Sequence, residues 1–138
     1  MTELTSTTVV PAPVEVVGRV VSDVAHWAEW VPGLAECGQP SPGEVRGVWS
    51  GPVAVGFHFC LKEAEGSLIC EMVESDVPFA EVCVSWWPCD EGASVTVRLT
   101  LQLGRTLPGS LWRELESAGL PALLRGLSSR AARLRGEG

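Results

Sequence analysis

The strongest constraint in this sequence is a period-two alternation of apolar and polar residues through four successive segments, Val53–Glu63, Ser67–Glu74, Phe79–Trp87 and Ser94–Leu103. Side chains of a β-strand point alternately to its two faces, so each segment reads as a strand with one apolar and one polar side. The links are short, among them Ala64-Glu65-Gly66 and the stretch from Pro88 to Ala93, which favours antiparallel neighbours. Two earlier strands, Leu34–Gln39 and Glu44–Ser50, flank the turn Pro40-Ser41-Pro42-Gly43, and a β-rich run from Thr2 to Val10 opens the chain.

A one-residue slip would turn every side chain to the wrong face, so the apolar pattern tests the register. Leu61 opposite Leu68 places Phe59 by Cys70 and Phe57 by Met72. Met72 opposite Ala80 places Cys70 by Val82 and Leu68 by Val84. Val84 opposite Val97 places Val82 by Leu99 and Trp86 by Val95, and the preceding hairpin aligns Trp49 with Val55 and Gly47 with Phe57. A continuous apolar face results across four strands. The reverse face carries Arg46, His58, Glu71, Glu81 and Thr100, with Lys62, Ser67, Ser85, Thr96 and Arg98 beside them. One dry and one wet face is normal for an antiparallel sheet, and the dry face needs a cover.

Helical segments at both ends supply it. Pro13 suits the first turn of a helix, where its missing N–H costs nothing, and Val16, Val17, Val20, Val21 and Val24 then recur at helical spacing. Ser22 and Asp23 can cap a second short helix through Trp27 and Trp30, stopped by Pro32-Gly33. Ser110 can cap a third, with Leu111, Leu115 and Ala118 on one stripe. Gly119 and Pro121 interrupt that helix, and Leu120, Leu123, Leu124, Leu127, Ala131 and Leu134 continue the stripe. The expected fold is α+β: a curved antiparallel sheet of six to seven strands around a long C-terminal helix, with two short helices after the first strand. A curved sheet and one helix cannot meet everywhere, so an apolar cavity between them is expected.

The 138 residues suit one domain, 1–138, large enough for a core without staples. The net charge of −7 opposes nucleic-acid binding. Arg125, Arg130, Arg133 and Arg135 read as the solvated face and favourable end charge of a terminal helix. Cys37, Cys60, Cys70, Cys83 and Cys89 lack the spacing of a metal knuckle and read as reduced sheet or core residues, so neither a metal nor another cofactor is expected. Met1 to Thr8 has no positive leader and no stretch has the length of a membrane span, which makes the cytoplasm the expected location.

Certain stretches carry a family likeness: Val9-Val10-Pro11-Ala12-Pro13-Val14-Glu15, the run from Val20 to Leu34 with Ser22-Asp23, His26-Trp27 and Trp30-Val31-Pro32-Gly33, and the Leu-Pro-x-Leu-Leu pattern at Leu120 to Leu124. With the order of elements, they make the chain resemble the START-like, or helix-grip, superfamily, specifically its polyketide cyclase and coenzyme Q-binding branch. The glycine-rich loop of the plant pathogenesis-related relatives is missing, and tyrosine is absent altogether, which excludes any mechanism through a tyrosine hydroxyl. The resemblance implies a hydrophobic small molecule held in an internal cavity. Its first implication is a cyclase or dehydratase acting on a polyketide or similar intermediate. The alternative is a non-catalytic carrier of a lipid, quinone or polyketide. A protein-interaction role, as in members that resemble ribosome-associated toxins, sits poorly with the acidic surface.

Candidate site residues follow from the dry face. Trp49, Phe57, Phe59, Cys70, Met72, Val84, Trp86, Val97 and Leu99 would contact a ligand, with Leu123 and Leu127 from the closing helix, or they simply fill a core. His26, Trp27 and Trp30 would stand near the entrance, His26 either at the cavity mouth or on the surface. For proton transfer the candidates are His26 and His58 with Glu71. In the register above His58 lies directly opposite Glu71, which could orient and charge the imidazole. The same register puts the pair on the wet face, as an ordinary cross-strand pair. Cys70 has no histidine on its face to activate it.

Overall fold

The computed structural model describes residues 3–50, 54–75, 79–101, 113 and 115–137. β1 (Glu3–Val10) leads through Pro11-Ala12-Pro13 into α1 (Val14–Ser22). Pro13 stands just outside the helix in extended conformation, and its carbonyl accepts the N–H groups of Val16 and Val17 at 3.0 and 3.2 Å. The helix buries the stripe Val16, Val17, Val20 and Val21. A 3₁₀ turn (Val24–His26) and the four-residue α2 (Trp27–Trp30) follow. Asp23 makes no side-chain cap there; its carboxylate instead accepts a hydrogen bond from His26 Nδ1 at 2.6 Å.

Six further strands follow: β2 (Leu34–Gly38), β3 (Glu44–Ser50), β4 (Ala54–Ala64), β5 (Ser67–Ser75), β6 (Phe79–Cys89) and β7 (Gly92–Leu101). They form one curled antiparallel sheet, a half-barrel ordered β1-β7-β6-β5-β4-β3-β2. The expected registers hold for β3–β4 (Gly47 by Phe57, Trp49 by Val55), β5–β6 (Cys70 by Val82, Leu68 by Val84) and β6–β7 (Val84 by Val97, Trp86 by Val95). The β4–β5 pairing departs by two residues, with Leu61 opposite Cys70 and Phe59 opposite Met72. Ala64 pairs with Ser67, so the turn is two residues long and carries Gly66 at φ +76°, a conformation glycine adopts freely. An irregularity between His58 and Phe59 shifts the pairing again, so that Phe57 faces Ser75. Because the slip at Leu61 and Phe59 is even, every apolar side chain there keeps its face.

β6 and β7 run on through Pro88 and Ala93, which pair with each other, to a two-residue turn between Cys89 and Gly92; the longer loop expected from Pro88 is not formed. Gly92 has φ +141°, and a Cβ there would lie 2.3 Å from the Val10 carbonyl oxygen. Only glycine fits.

The start of the third helix expected at Ser110 and Leu111 lies outside the described residues. A π-helical turn (Leu115–Gly119) precedes α3 (Leu120–Glu137), so the interruption expected at Gly119 and Pro121 is a change of helical pitch. α3 buries Leu120, Leu124, Leu127 and Ala131 and lies against α1, α2, β1 and β7. α1 lies on β5, β6 and β7. The core between these helices and the concave face includes Val10, Val17, Val45, Leu68, Val95 and Val97, and among the described residues no polar or charged side chain is buried.

Candidate ligand-binding site

Among the described residues the helices cover one flank of the concave face only. Among the described residues α3 makes no approach to β3, β4, β5 or β6 comparable to its packing on β1 and β7. Over the uncovered flank, Phe57, Phe59 and Leu61 of β4 face inward yet are only half-buried. The two phenyl rings, successive on one face of the strand, stack at 4.6 Å between centroids with an interplanar angle of 23°. Gly47 on the neighbouring strand makes room for them, since a Cβ there would meet Phe57 Cζ at 2.6 Å and the Glu36 carbonyl oxygen at 2.4 Å. Val82 and Trp86 of β6 are half-buried on the same face. Among the described residues, inward-facing aromatic and aliphatic groups that stay partly open leave an incompletely covered apolar surface on this flank.

α2 stands beside this surface, touching β2 at the sheet edge on one side and α3 on the other. The contact with α3 is close: a Cβ on Gly126 would lie 2.1 Å from the Trp30 carbonyl oxygen. Arg130 of α3 reaches Glu29 of α2 at 3.7 Å. Trp30, Val31 and Leu123 are half-buried where these elements meet.

Several expected ligand contacts are core. Val84, Val97, Leu99, Cys70 and Leu127 face inward but are buried, since α1 lies over β5, β6 and β7 and α3 over β7. Trp27 is 8% exposed and its Nε1 donates to the Val21 carbonyl at 2.8 Å, which makes it a core residue and not an entrance residue. Phe57, Phe59, Met72, Trp86, Trp30 and Leu123 retain open surface. The Trp49 side chain lies outside the described residues, although its backbone pairs with Leu34 and Val55. Leu61, on the dry face in the expected register, and Cys37, expected as a sheet or core residue, are half-buried against the core, and neither is among the expected ligand contacts. The alternation carried the signal for Leu61.

The proton-transfer candidates do not converge. His58 stands opposite Arg46 on β3 and Glu74 on β5, while Glu71 stands opposite Cys60 and Glu81. The two-residue slip between β4 and β5, with one more residue added at the irregularity between His58 and Phe59, separates the expected pair. Both occupy the convex face: Glu71 Oε1 bonds Lys62 at 2.8 Å, which holds the lysine ammonium above its ordinary range. His58 Nε2 lies 3.5 Å from Glu44 Oε2, with the side chain 12% exposed. His26 is 50% exposed and held by Asp23, with Glu29 at 4.0 Å from Nε2.

The cysteines are free. Burial pushes the Cys70 thiol up to about 12 and raises those of Cys37 and Cys83, the reverse of an activated nucleophile. Among the described residues no three His, Cys, Asp or Glu side chains converge as metal ligands, and no helix is long and apolar enough to cross a membrane. A depression of about 400 Å³ along the β2–β3 edge, lined by Glu36, Cys37, Arg46 and Val48 among others, is too open to shield an apolar guest from water.

A half-barrel wrapped on a C-terminal helix, with a partly open apolar floor, is the START-like helix-grip architecture. The chain belongs to the family described as polyketide cyclase / dehydrase and lipid transport, which it matches over residues 1–134. It is similar to a START superfamily protein from Mycobacterium smegmatis, at 21% identity over 97% of this chain and 99% of that one, with a TM-score of 0.83. The Zhui aromatase/cyclase from a Streptomyces species aligns at 16% identity over 95% and 93% of the two chains, TM-score 0.70. A STAR-related lipid transfer protein from Xanthomonas axonopodis aligns at 18% identity over 94% and 85%, TM-score 0.64. No curated protein matches the chain.

Proposed function

We propose that residues 1–138 work as one domain that binds a flexible hydrophobic small molecule, polyketide-like or lipid-like, between the concave face and α3. The observation that carries this reading is the half-buried state of Phe57, Phe59 and Leu61 on the face that should be driest. Burying roughly 300 Å² of apolar ligand surface is worth on the order of 7 kcal/mol, and association costs take back several of them. Micromolar affinity is therefore the ceiling without directional contacts.

Carriage is the form that the geometry favours. His26, His58 and Glu71 lie off the concave floor, and among the described residues no charged side chain is buried to move a proton. The rival reading, cyclase or dehydratase activity, draws on the family description and on the stacked phenyl floor, which could fold a chain into a near-attack shape and accelerate closure by positioning.

Titration with a long-chain acyl probe, followed by tryptophan fluorescence, tests binding. Wild type should saturate no more tightly than the micromolar range, and Phe59→Asp should lose at least about tenfold, because a carboxylate would meet the apolar guest. Unchanged affinity in that variant would sink the proposal. Native mass spectrometry after incubation with a reactive linear poly-β-ketone separates the rivals: a guest of unchanged mass and an unaltered product ratio mean carriage, and water loss or a new cyclised product means catalysis.

A further inference from the structure

The sheet ends in two edge strands of unlike character. β2 is five residues long, carries an irregularity between Leu34 and Glu36, and is followed by Pro40 and Pro42. Short length, broken register, charge and proline are the devices that keep an open edge from pairing with another chain. β1 has none of them between Leu4 and Val10. It pairs with β7 in unbroken register, and that stretch holds neither a charged residue nor a proline. α3 packs against β1, and Leu4 and Val10 are buried, yet Ser6 and Thr8 on the same side stay half-exposed. Among the described residues no strand takes up the outward N–H and C=O groups of this edge.

The strand is also nearly palindromic in chemistry about Thr7, with Ser6 matching Thr8 and aliphatic Leu4 matching Val10. Thr7 ends a row of hydroxyls on the convex face. It stands opposite Thr96, their Oγ1 atoms 2.9 Å apart; Thr96 stands opposite Ser85, and Ser85 opposite Ser67.

We propose that β1 pairs antiparallel with β1 of a second copy about a two-fold axis at Thr7, so that two seven-stranded sheets become one. Thr7 then meets Thr7 and continues the hydroxyl row, Leu4 lies opposite Val10, and Thr5 covers Val9, which is otherwise 46% exposed. The same register brings Glu3 level with Pro11 of the second copy, whose carbonyl oxygen accepts a hydrogen bond from Arg135 at 2.7 Å. Within its own chain Glu3 is half-exposed, with Arg98 Nε at 3.9 Å. Both ends of the interface are therefore charge-complementary, once at each end by symmetry. The net charge of −7 opposes association at long range, but ionic strength of about 0.15 M screens it within about 8 Å. A pair of seven-residue strands is small beside the roughly 1,200 Å² of a stable interface, so the dimer is reversible, with a Kd on the order of 10–100 μM. β1 stands at the far side of the sheet from β3 and β4, and association leaves the uncovered flank free.

Sedimentation velocity on the full chain, from about 2 to 400 μM at the same ionic strength, tests this. The mean mass should rise from 14.7 kDa toward twice that value. Thr7→Lys sets two ammonium groups face to face and should weaken association at least about tenfold, with circular dichroism and Tm close to wild type. Glu3→Arg and Arg135→Glu should each weaken it about three- to tenfold. The double swap should return it to within about twofold of wild type, a rescue that a merely structural role would not give. A chain that stays monomeric at 400 μM would overturn the proposal and leave the edge to a foreign strand. A dimer unmoved by Thr7→Lys, or charge swaps that fail to rescue one another, would overturn it as well.

Discussion

Cys70 shows how much a single residue on the concave face is governed by its burial. At 5% exposure its thiol holds a proton up to about pH 12, whereas the unfolded chain releases it near 9.0. Below pH 9 both states are protonated and the group contributes no pH dependence. Between about 9 and 12 the unfolded state loses the proton first, so stability falls as pH rises, with a slope approaching 1.4 kcal/mol per pH unit. Cys37 and Cys83 act in the same direction with smaller weight, being less buried. Urea midpoints measured at pH 7 and pH 10.5 should show this loss in wild type and a reduced one in Cys70→Val. The free thiol should also resist alkylation in the folded protein at pH 8 and react on unfolding. The inward direction of Cys70 was legible in the sequence because alternation specifies a face. The covering of Val84, Val97 and Leu99 by α1 and α3 was not, since it depends on where distant helices land.

Among the elements, strand pairing was the most legible and helix docking the least. Three strand registers follow from keeping apolar residues on one side, a rule insensitive to errors of two residues. That same insensitivity hid the slip between β4 and β5, which a tight turn at Gly66 and the irregularity between His58 and Phe59 decide, and it produced the expected His58–Glu71 pair that the protein does not form. The α2–α3 junction left only a faint trace, a glycine inside an amphipathic helix. Such a glycine signals close approach of another backbone without naming it. Gly126→Ala should be destabilising by about 1–3 kcal/mol, because the new methyl group meets the Trp30 carbonyl and the two helices must part. Hydrogen exchange should quicken across 24–33 in that variant ahead of the sheet. Arg130→Ala, which removes a pair to a half-exposed carboxylate from an arginine side chain only 15% exposed, should cost about 1 kcal/mol, part of it lost packing of the stem.

For the whole molecule, ligand binding and stability are linked by mass action. A guest present at a hundredfold its Kd should stabilise the fold by about 2.7 kcal/mol, read as a concentration-dependent rise in Tm; a Tm indifferent to a compound shown to bind would mean that it associates with unfolded chain as well. The interior described here has no buried charged network, and directional networks are what tie a core to particular residues. An aliphatic or aromatic filling tolerates exchange so long as volume is kept. The backbone can therefore persist at 16–21% identity while side chains over the concave face are resized, a methylene at a time. Under the binding role proposed above, such resizing would change the guest with nothing to rewire.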